Sequence, residues 1–313
     1  MRILMFGRGV IATLYGQVLQ EAGHDVEYYV RPGRAAEYGD GVSVDVIDTR
    51  RRLGRQRARA TIPLRLRESI DPADGFDLVV LSVSHHRLAE AVAFLAPRIA
   101  GATVLVFGNV WDEPGEAIAP IPADQVVFGF PQGGGGFAAD GVLHGAMLRT
   151  VLVGLAGTSP SAREAAVTDL FRGAGFSVRH EADMRGWLFI HFVADSGMFA
   201  QGVHSGGLAG MVGDRRALRA AFETGRELLP VLTSRGVELG RHRATLTPLR
   251  MPGPVAAALA LATVLLPLAR TSLGAHTDPY SSEARAILLD MELAARRTGL
   301  PSPRLDAAVR ELP

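Results

Sequence analysis

The chain has 313 residues, 48% of them hydrophobic, with 33 basic and 32 acidic side chains. That balance supplies enough apolar surface for a sizeable core and excludes intrinsic disorder, a collagen-like repeat and an overall pull toward nucleic acid. Cysteine is absent and so is lysine, so every basic residue is arginine. Disulfides, thiolate chemistry, cysteine-based metal sites, lysine Schiff bases and ammonium general acids are all removed.

Residues 2–6 (RILMF) form an apolar run that ends at Gly7, as a buried parallel strand does. Apolar spacing through Val10, Leu14, Val18 and Ala22 predicts a helix stopped at Gly23. The approach to a Gly turn is too short for a secretory signal, so the expected compartment is cytoplasmic. Further strands are predicted over 25–30, 77–83, 103–107, 126–130 and 148–153, with a helix over 87–96. This alternation predicts an α/β fold, a Rossmann-type doubly wound sheet. The run Gly133–Gly136 reads as a loop near the mouth of that sheet. Beyond residue 180 the patterns are helical, over 184–200, 214–236, 253–270, 281–298 and 304–311. The expected division is a nucleotide-binding domain over 1–180 and an all-α substrate and dimerisation domain over 181–313. Residues 252–269 carry no charge. Their prolines and alanine-rich composition favour a buried or interface helix over a membrane contact.

Gly7-Arg8-Gly9-Val10-Ile11-Ala12 is GxGxxA between a strand and a helix. The first glycine permits the tight turn, the second lets backbone approach a pyrophosphate, and the alanine allows close helix–sheet packing. Free N–H groups at the helix start favour the anion. The second strand is followed by Arg31-Pro32-Gly33-Arg34 rather than by a carboxylate. Two guanidiniums there suit a 2′-phosphate, so the expected cofactor is NADP.

With Asn109 after the strand TVLVF, a long helix near Met184 and the C-terminal helix opening Ser282-Glu283-Ala284-Arg285, the chain resembles the ketopantoate reductase family, within the 6-phosphogluconate-dehydrogenase-like enzymes. The resemblance implies reduction of a 2-keto acid by NADPH in a cleft between two domains, and a homodimer formed through the helical domain. It implies substrate-side roles for Asn109, Ser282 and Glu283, and a cofactor-side place for Ser84 and Asn109. The family's helical Lys-Asn-Asn ladder, spaced by four, reads Trp187, His191, Asp195 here. Val110 replaces the glycine that usually follows the asparagine, and Ser84 stands near a usual cofactor-side lysine.

Residues 187, 191 and 195 share one helical face. In an apolar helix, His191 and Asp195 read as a buried pair, with the histidine a proton donor and Trp187 a wall of the substrate pocket; a purely structural hydrogen bond is the alternative. His85-His86 follow a strand end but lack further metal ligands, and no metal site is expected. Tyr280 reads as a satisfied buried hydroxyl, with a proton donor one turn before Glu283 as the alternative, and Trp111 as a pocket wall or packing residue. Arg50, Arg51, Arg52, Arg55, Arg57 and Arg59 read as a solvated hairpin or, alternatively, an anion or partner surface. Together these expectations describe an NADPH-dependent reductase of a C=O or C=N group in a small molecule other than ketopantoate. The alternatives are a non-catalytic NADP(H)-binding sensor or partner-binding protein, and a non-redox acid–base enzyme that reuses the cleft. Neither nucleic acid nor membrane is an expected partner.

Overall fold

The computed structural model describes residues 1–50, 56–155 and 157–313. Strand β1 (Arg2–Phe6) is buried along its middle three residues and pairs in parallel on both sides, with β2 (Asp25–Tyr29) and with β6 (Leu78–Leu81). Strand β7 (Thr103–Phe107) continues this parallel sheet next to β6, and β8 (Val126–Phe137) lies next to β7. Beyond β8 the sheet turns mixed. Strand β9 (Leu143–Gly154) runs antiparallel to β8 and parallel to β3 (Gly41–Asp48) and β10 (Ser177–Glu181). The outer edges are β4 (Gln56–Pro63), antiparallel to β3, and the short β5 (Leu66–Arg67) beside β2. The doubly wound α/β fold is present, with β5 and β10 that the sequence reading did not contain, and with β3 and β4 paired antiparallel on either side of the arginine-rich stretch read as a hairpin.

One face of the sheet is packed by Ile3, Met5, Tyr28, Val80, Leu105 and Phe107, all at most 1% exposed. Helix α1 (Val10–Glu21) supplies Leu14 and Val18 to that layer, and α3 (Ala162–Gly173) supplies Leu170 and Phe171. Burial on this scale stabilises by about 1.5–3 kcal/mol per large apolar side chain. The helix between them in sequence, α2 (Leu88–Leu95), follows β6.

The glycine run departs from its expected loop. Gly133–Gly136 lie inside β8 and pair with Met147, Ala146, Gly145 and His144 of β9, after a register shift between Pro131 and Gly133. A Cβ at Gly133 would stand 2.7 Å from the Ala146 carbonyl oxygen. Glycine is used here because the partner backbone passes where a side chain would be, which is a tertiary cause that a turn-residue count cannot register.

Contacts divide the chain into Met1–Met184 and Arg185–Pro313. The second unit is helical: α4 (Met184–Ser205) enters it, followed by α5 (Arg215–Glu227), α6 (Leu229–Ser234), α7 (Pro252–Leu265), α8 (Pro267–Gly274), α9 (Ser282–Thr298) and α10 (Pro303–Arg310). Asp214 starts α5, its carboxylate accepting from the N–H groups of Arg216 and Ala217 at 2.8 and 3.0 Å. The helix expected over 214–236 breaks at Leu228, just before Pro230, and that over 253–270 breaks at Pro267, where α7 and α8 meet at 98°. Proline has no N–H to continue the ladder. Helix α7 buries its small residues Ala256, Ala260 and Thr263 and exposes Leu261, Val264 and Leu265, each at least 60% accessible. One face of this helix is therefore buried and the other exposed. Among the described residues no single helix is long and apolar enough to cross a membrane.

Candidate active site

Register places the chemistry. Phe6 pairs with Tyr29 and with Leu81, and Leu81 pairs with Val106. The segments holding Gly7, Arg31, Ser84 and Asn109 therefore all leave the carboxyl edge of the sheet together. Because the chain moves from β1 to β2 on one side and later to β6 on the other, this edge carries the topological switch point where open α/β sheets bind ligands.

Gly7 adopts φ +102°, a backbone that L side chains rarely reach, and its N–H donates to the Tyr29 carbonyl at 2.9 Å. No atom lies within 4 Å of the position a Cβ would take at Gly7 or Gly9. Gly9 is the N-cap of α1, no side chain caps it, and the first turn carries no acid. Backbone N–H groups at the start of α1 are thus left toward open space, a cradle that fits a dinucleotide pyrophosphate. Val10 and Ile11 begin that helix and pack partly against the core.

A cavity of about 360 Å³ lies along this edge, lined among others by Gly7, Arg8, Arg31, Arg34, Tyr38 and Arg87. Arg31 is exposed. Arg34 pairs with Glu37 at 2.8 Å and donates to the Tyr38 hydroxyl at 3.0 Å. The expectation that no carboxylate competes at this spot is corrected in part, since Glu37 already holds Arg34. Glu68 accepts from the Ala35 N–H at 2.7 Å, and that bond holds its carboxyl below the usual carboxylate range. The floor is aromatic: Phe6 stacks on Tyr29 at 5.1 Å, and Tyr29 stacks on Phe94 at 5.1 Å.

Ser84 is the N-cap residue of the short turn His85–Arg87 and makes no side-chain cap bond. The rings of His85 and His86 meet edge-on at 5.5 Å rather than pointing apart, with His85 buried. Asn109 is half-buried after β7, and Trp111 is buried. Among the described residues no group of three or more metal-ligating side chains is assembled.

In the second unit, the three residues spaced by four on α4 do form one row. The Trp187 and His191 rings stack at 5.1 Å and 10° between planes, and His191 Nε2 lies 3.5 Å from Asp195 Oδ2. Trp187 is buried, whereas the His191 and Asp195 side chains are 29% and 26% exposed. The pair expected to be buried is thus only partly buried. The helix is not apolar all round, because this row opens one side of it. Ser282 and Glu283 sit in the first turn of α9, with Ser282 exposed and Glu283 half-buried. Ser281 caps that helix by accepting from the Ala284 N–H at 3.3 Å. Tyr280 is 43% exposed, not a buried hydroxyl, because it precedes the helix in a turn. Of the arginine cluster, Arg50 is anchored to Asp48 at 2.6 Å and Arg59 to Asp45 at 3.0 Å. Arg51, Arg52 and Arg55 and the side chain of Arg57 lie outside the described residues.

The sequence over residues 3–156 matches the family model described as ketopantoate reductase PanE/ApbA. Residues 3–156 carry that family's domain. No curated protein sequence matches significantly. Solved ketopantoate reductases share the fold. One is the 2-dehydropantoate 2-reductase of Geobacter metallireducens, 17% identical with a TM-score of 0.70, covering 100% of this chain and 99% of its own. Another is the dimeric ketopantoate reductase of Staphylococcus aureus, 14% identical with a TM-score of 0.66, covering 99% and 96%. A D-mandelate dehydrogenase structure with NADH and anilino(oxo)acetate is equally similar in fold, 14% identical with a TM-score of 0.70, covering 99% and 96%.

The sequence named the glycines and Arg8, Arg31 and Arg34 of the cleft but missed Tyr38, Arg87, Glu90 and Phe94. Tyr38 stands four residues after Arg34, and Arg87, Glu90 and Phe94 recur at helical spacing just past the end of β6. Those intervals were the available signal.

Proposed function

We propose that this chain is an NADPH-dependent reductase of a C=O or C=N group in a small molecule other than ketopantoate. The observation that carries the cofactor reading is the arginine-lined cleft at the carboxyl edge, with exposed Arg31 where an NAD-specific chain would place a carboxylate. When bound, the reduced nicotinamide supplies a hydride to the substrate carbon. The N–H groups at the start of α1 hold the pyrophosphate and Arg31 meets the 2′-phosphate, with Arg8 and Arg34 adding positive charge. Ser84 and Asn109 extend the cofactor side.

The developing oxygen or nitrogen anion needs a proton, and a lysine-free chain must find another donor. His191 is that donor in this reading, and Asp195 orients its ring. Glu283, Ser282, Asn109 and Trp187 contribute to substrate binding. Glu283 also carries a hydroxyl or amino contact that helps place the reacting bond.

Two arguments support a homodimer through the helical unit. Leu261, Val264 and Leu265 form an exposed apolar face, and the S. aureus relative is described as dimeric.

The direct test of the cofactor reading is titration of wild type and Arg31→Ala with NADPH and NADH. Weaker NADPH binding with NADH nearly untouched is expected. Equal losses for both cofactors would remove Arg31 from the 2′-phosphate site. Oxidation of NADPH with a panel of carbonyl and imine compounds tests the reaction itself, and a complete lack of turnover would favour a binding protein.

A further inference from the structure

Tyr38 sits at the end of a single helical turn, Ala35–Tyr38, that closes the cofactor cleft. Its N–H donates to the Arg34 carbonyl at 3.1 Å, and Gly39, at φ +65°, ends the turn by donating to Ala35. Because Arg34 and Tyr38 are four residues apart, their side chains rise on one side of that turn. Arg34 Nε and Nη2 both donate to the Tyr38 hydroxyl, at 3.3 and 3.0 Å. From a different element, the Arg8 guanidinium lies over the Tyr38 ring, its carbon 4.1 Å from the ring centroid. Phe137, at the end of β8, presents a second ring to Arg8 at 5.2 Å.

Two of the cleft's cations therefore converge on one neutral side chain, Arg8 through the ring face and Arg34 through the hydroxyl and, at 5.0 Å from the centroid, the ring as well. Guanidiniums placed this close repel each other and, on flexible stems, would spread into solvent; stacking on an aromatic face and hydrogen bonding offset both costs. The backbone of the turn does not offer the alternative phosphate cradle, since Glu68 already accepts from the Ala35 N–H. An anion at this end of the cleft must be met by side chains.

We propose that Tyr38 is a positioning residue for the phosphate-binding arginines. Its ring fixes Arg8 beside the pyrophosphate cradle, and its hydroxyl fixes Arg34 toward the 2′-phosphate. The proposal rests on the reading of this cleft as a dinucleotide site. It makes two separable statements, because the ring serves any dinucleotide whereas the hydroxyl serves only a phosphorylated ribose.

The experiment titrates full-length wild type, Tyr38→Phe, Tyr38→Leu and Tyr38→Ala with NADP+ and with NAD+ by calorimetry, after circular dichroism and melting curves establish that each variant is folded. Tyr38→Phe keeps the ring contacts of Arg8 and Arg34 and the Arg34–Glu37 pair, and removes only the hydrogen bonds from Arg34 to the hydroxyl. It should lose ~3–10-fold in NADP+ affinity, the scale of one hydrogen bond, with NAD+ unchanged. Tyr38→Leu and Tyr38→Ala remove the ring contacts as well and should lose a further ~3-fold or more for both cofactors, the scale of an exposed cation–π contact. A loss through general loosening of the turn would lower both cofactors equally in all variants and would leave the NADP+ to NAD+ ratio constant. That result overturns the proposal, as does wild-type binding of both cofactors by Tyr38→Ala. If wild type itself prefers NAD+, the NADPH reading fails. The ring's role then still stands or falls on whether phenylalanine restores the NAD+ affinity lost with alanine.

Discussion

His191 is the residue whose removal separates chemistry from cofactor binding in this reading. It lies in the second unit, stacked on Trp187 and 3.5 Å from Asp195, whereas the glycine turn that fits a pyrophosphate belongs to the first unit. His191→Ala should therefore lower turnover by ~10²-fold or more while leaving NADPH affinity intact. Asp195→Asn should cost less, since it removes charge but keeps a side chain that can orient the ring. Stopped-flow turnover together with cofactor titration of the two variants checks this; an unchanged rate in folded His191→Ala would pass the proton to Glu283. The row itself was legible in the sequence because a spacing of four fixes a face whatever the tertiary context. Its exposure was not, since surrounding residues decide which face of a helix stays open. Tyr38 escaped notice for a similar reason. Its contact with Arg34 follows from local spacing, but its contact with Arg8 joins residues thirty positions apart.

At the scale of elements, the β8–β9 ribbon shows what composition misleads about. Four consecutive glycines ordinarily mark a loop, yet these pair along β9 and bring Phe137 to the ring contact with Arg8. Gly133→Ala would place a methyl 2.7 Å from the Ala146 carbonyl oxygen, so one strand must shift. A destabilisation of about 1–3 kcal/mol is expected, the usual cost of overpacking, read as a lower denaturant midpoint at an unchanged slope. Strand β4 was unreadable for a different reason: Arg57 and Arg59 interrupt its apolar pattern, and Arg59 pairs with Asp45 of β3. Helix α5 provides a pH test. Hydrogen bonding from Arg219, with Arg304 and Arg226 nearby, holds the Glu223 carboxyl below the ordinary glutamate value of 4.5. A carboxylate depressed in the folded state contributes stability that is full above its unfolded value and is lost as pH falls through its folded one. The melting temperature of wild type should thus exceed that of Glu223→Gln near neutrality, with the gap closing on acidification below about pH 4.5. A gap that stayed constant with pH would show that the ion pairs contribute nothing. The outward Leu261 and Leu265 of α7 give the test of association. Leu265→Asp should shift a dimer to monomer in light scattering, and a wild type that is monomeric at high concentration would leave that face without a role.

Across the whole molecule, the absence of lysine constrains the chemistry more than any local motif does. In the proposed reading Trp187 stands where the family's long helix carries a lysine, and no lysine elsewhere in the chain can lend that group. Trp187 is buried and packed flat on His191. An indole N–H is a neutral donor that does not release its proton near neutral pH, and its ring adds apolar bulk. Two consequences follow together. A small hydroxylated 2-keto acid would lose the cation that grips its carbonyl oxygen, and a bulkier or more apolar carbonyl or imine would gain a surface to pack on. Wild type should therefore oxidise NADPH poorly with ketopantoate and better with larger apolar ketones or imines. Trp187→Lys should reverse that order if the side chain reaches the reacting oxygen, and NADPH titration of the variant checks that the cofactor site survives a buried lysine. Efficient ketopantoate reduction by wild type would defeat the argument at its first step, because it would mean that the His191–Asp195 pair alone supplies both the grip and the proton.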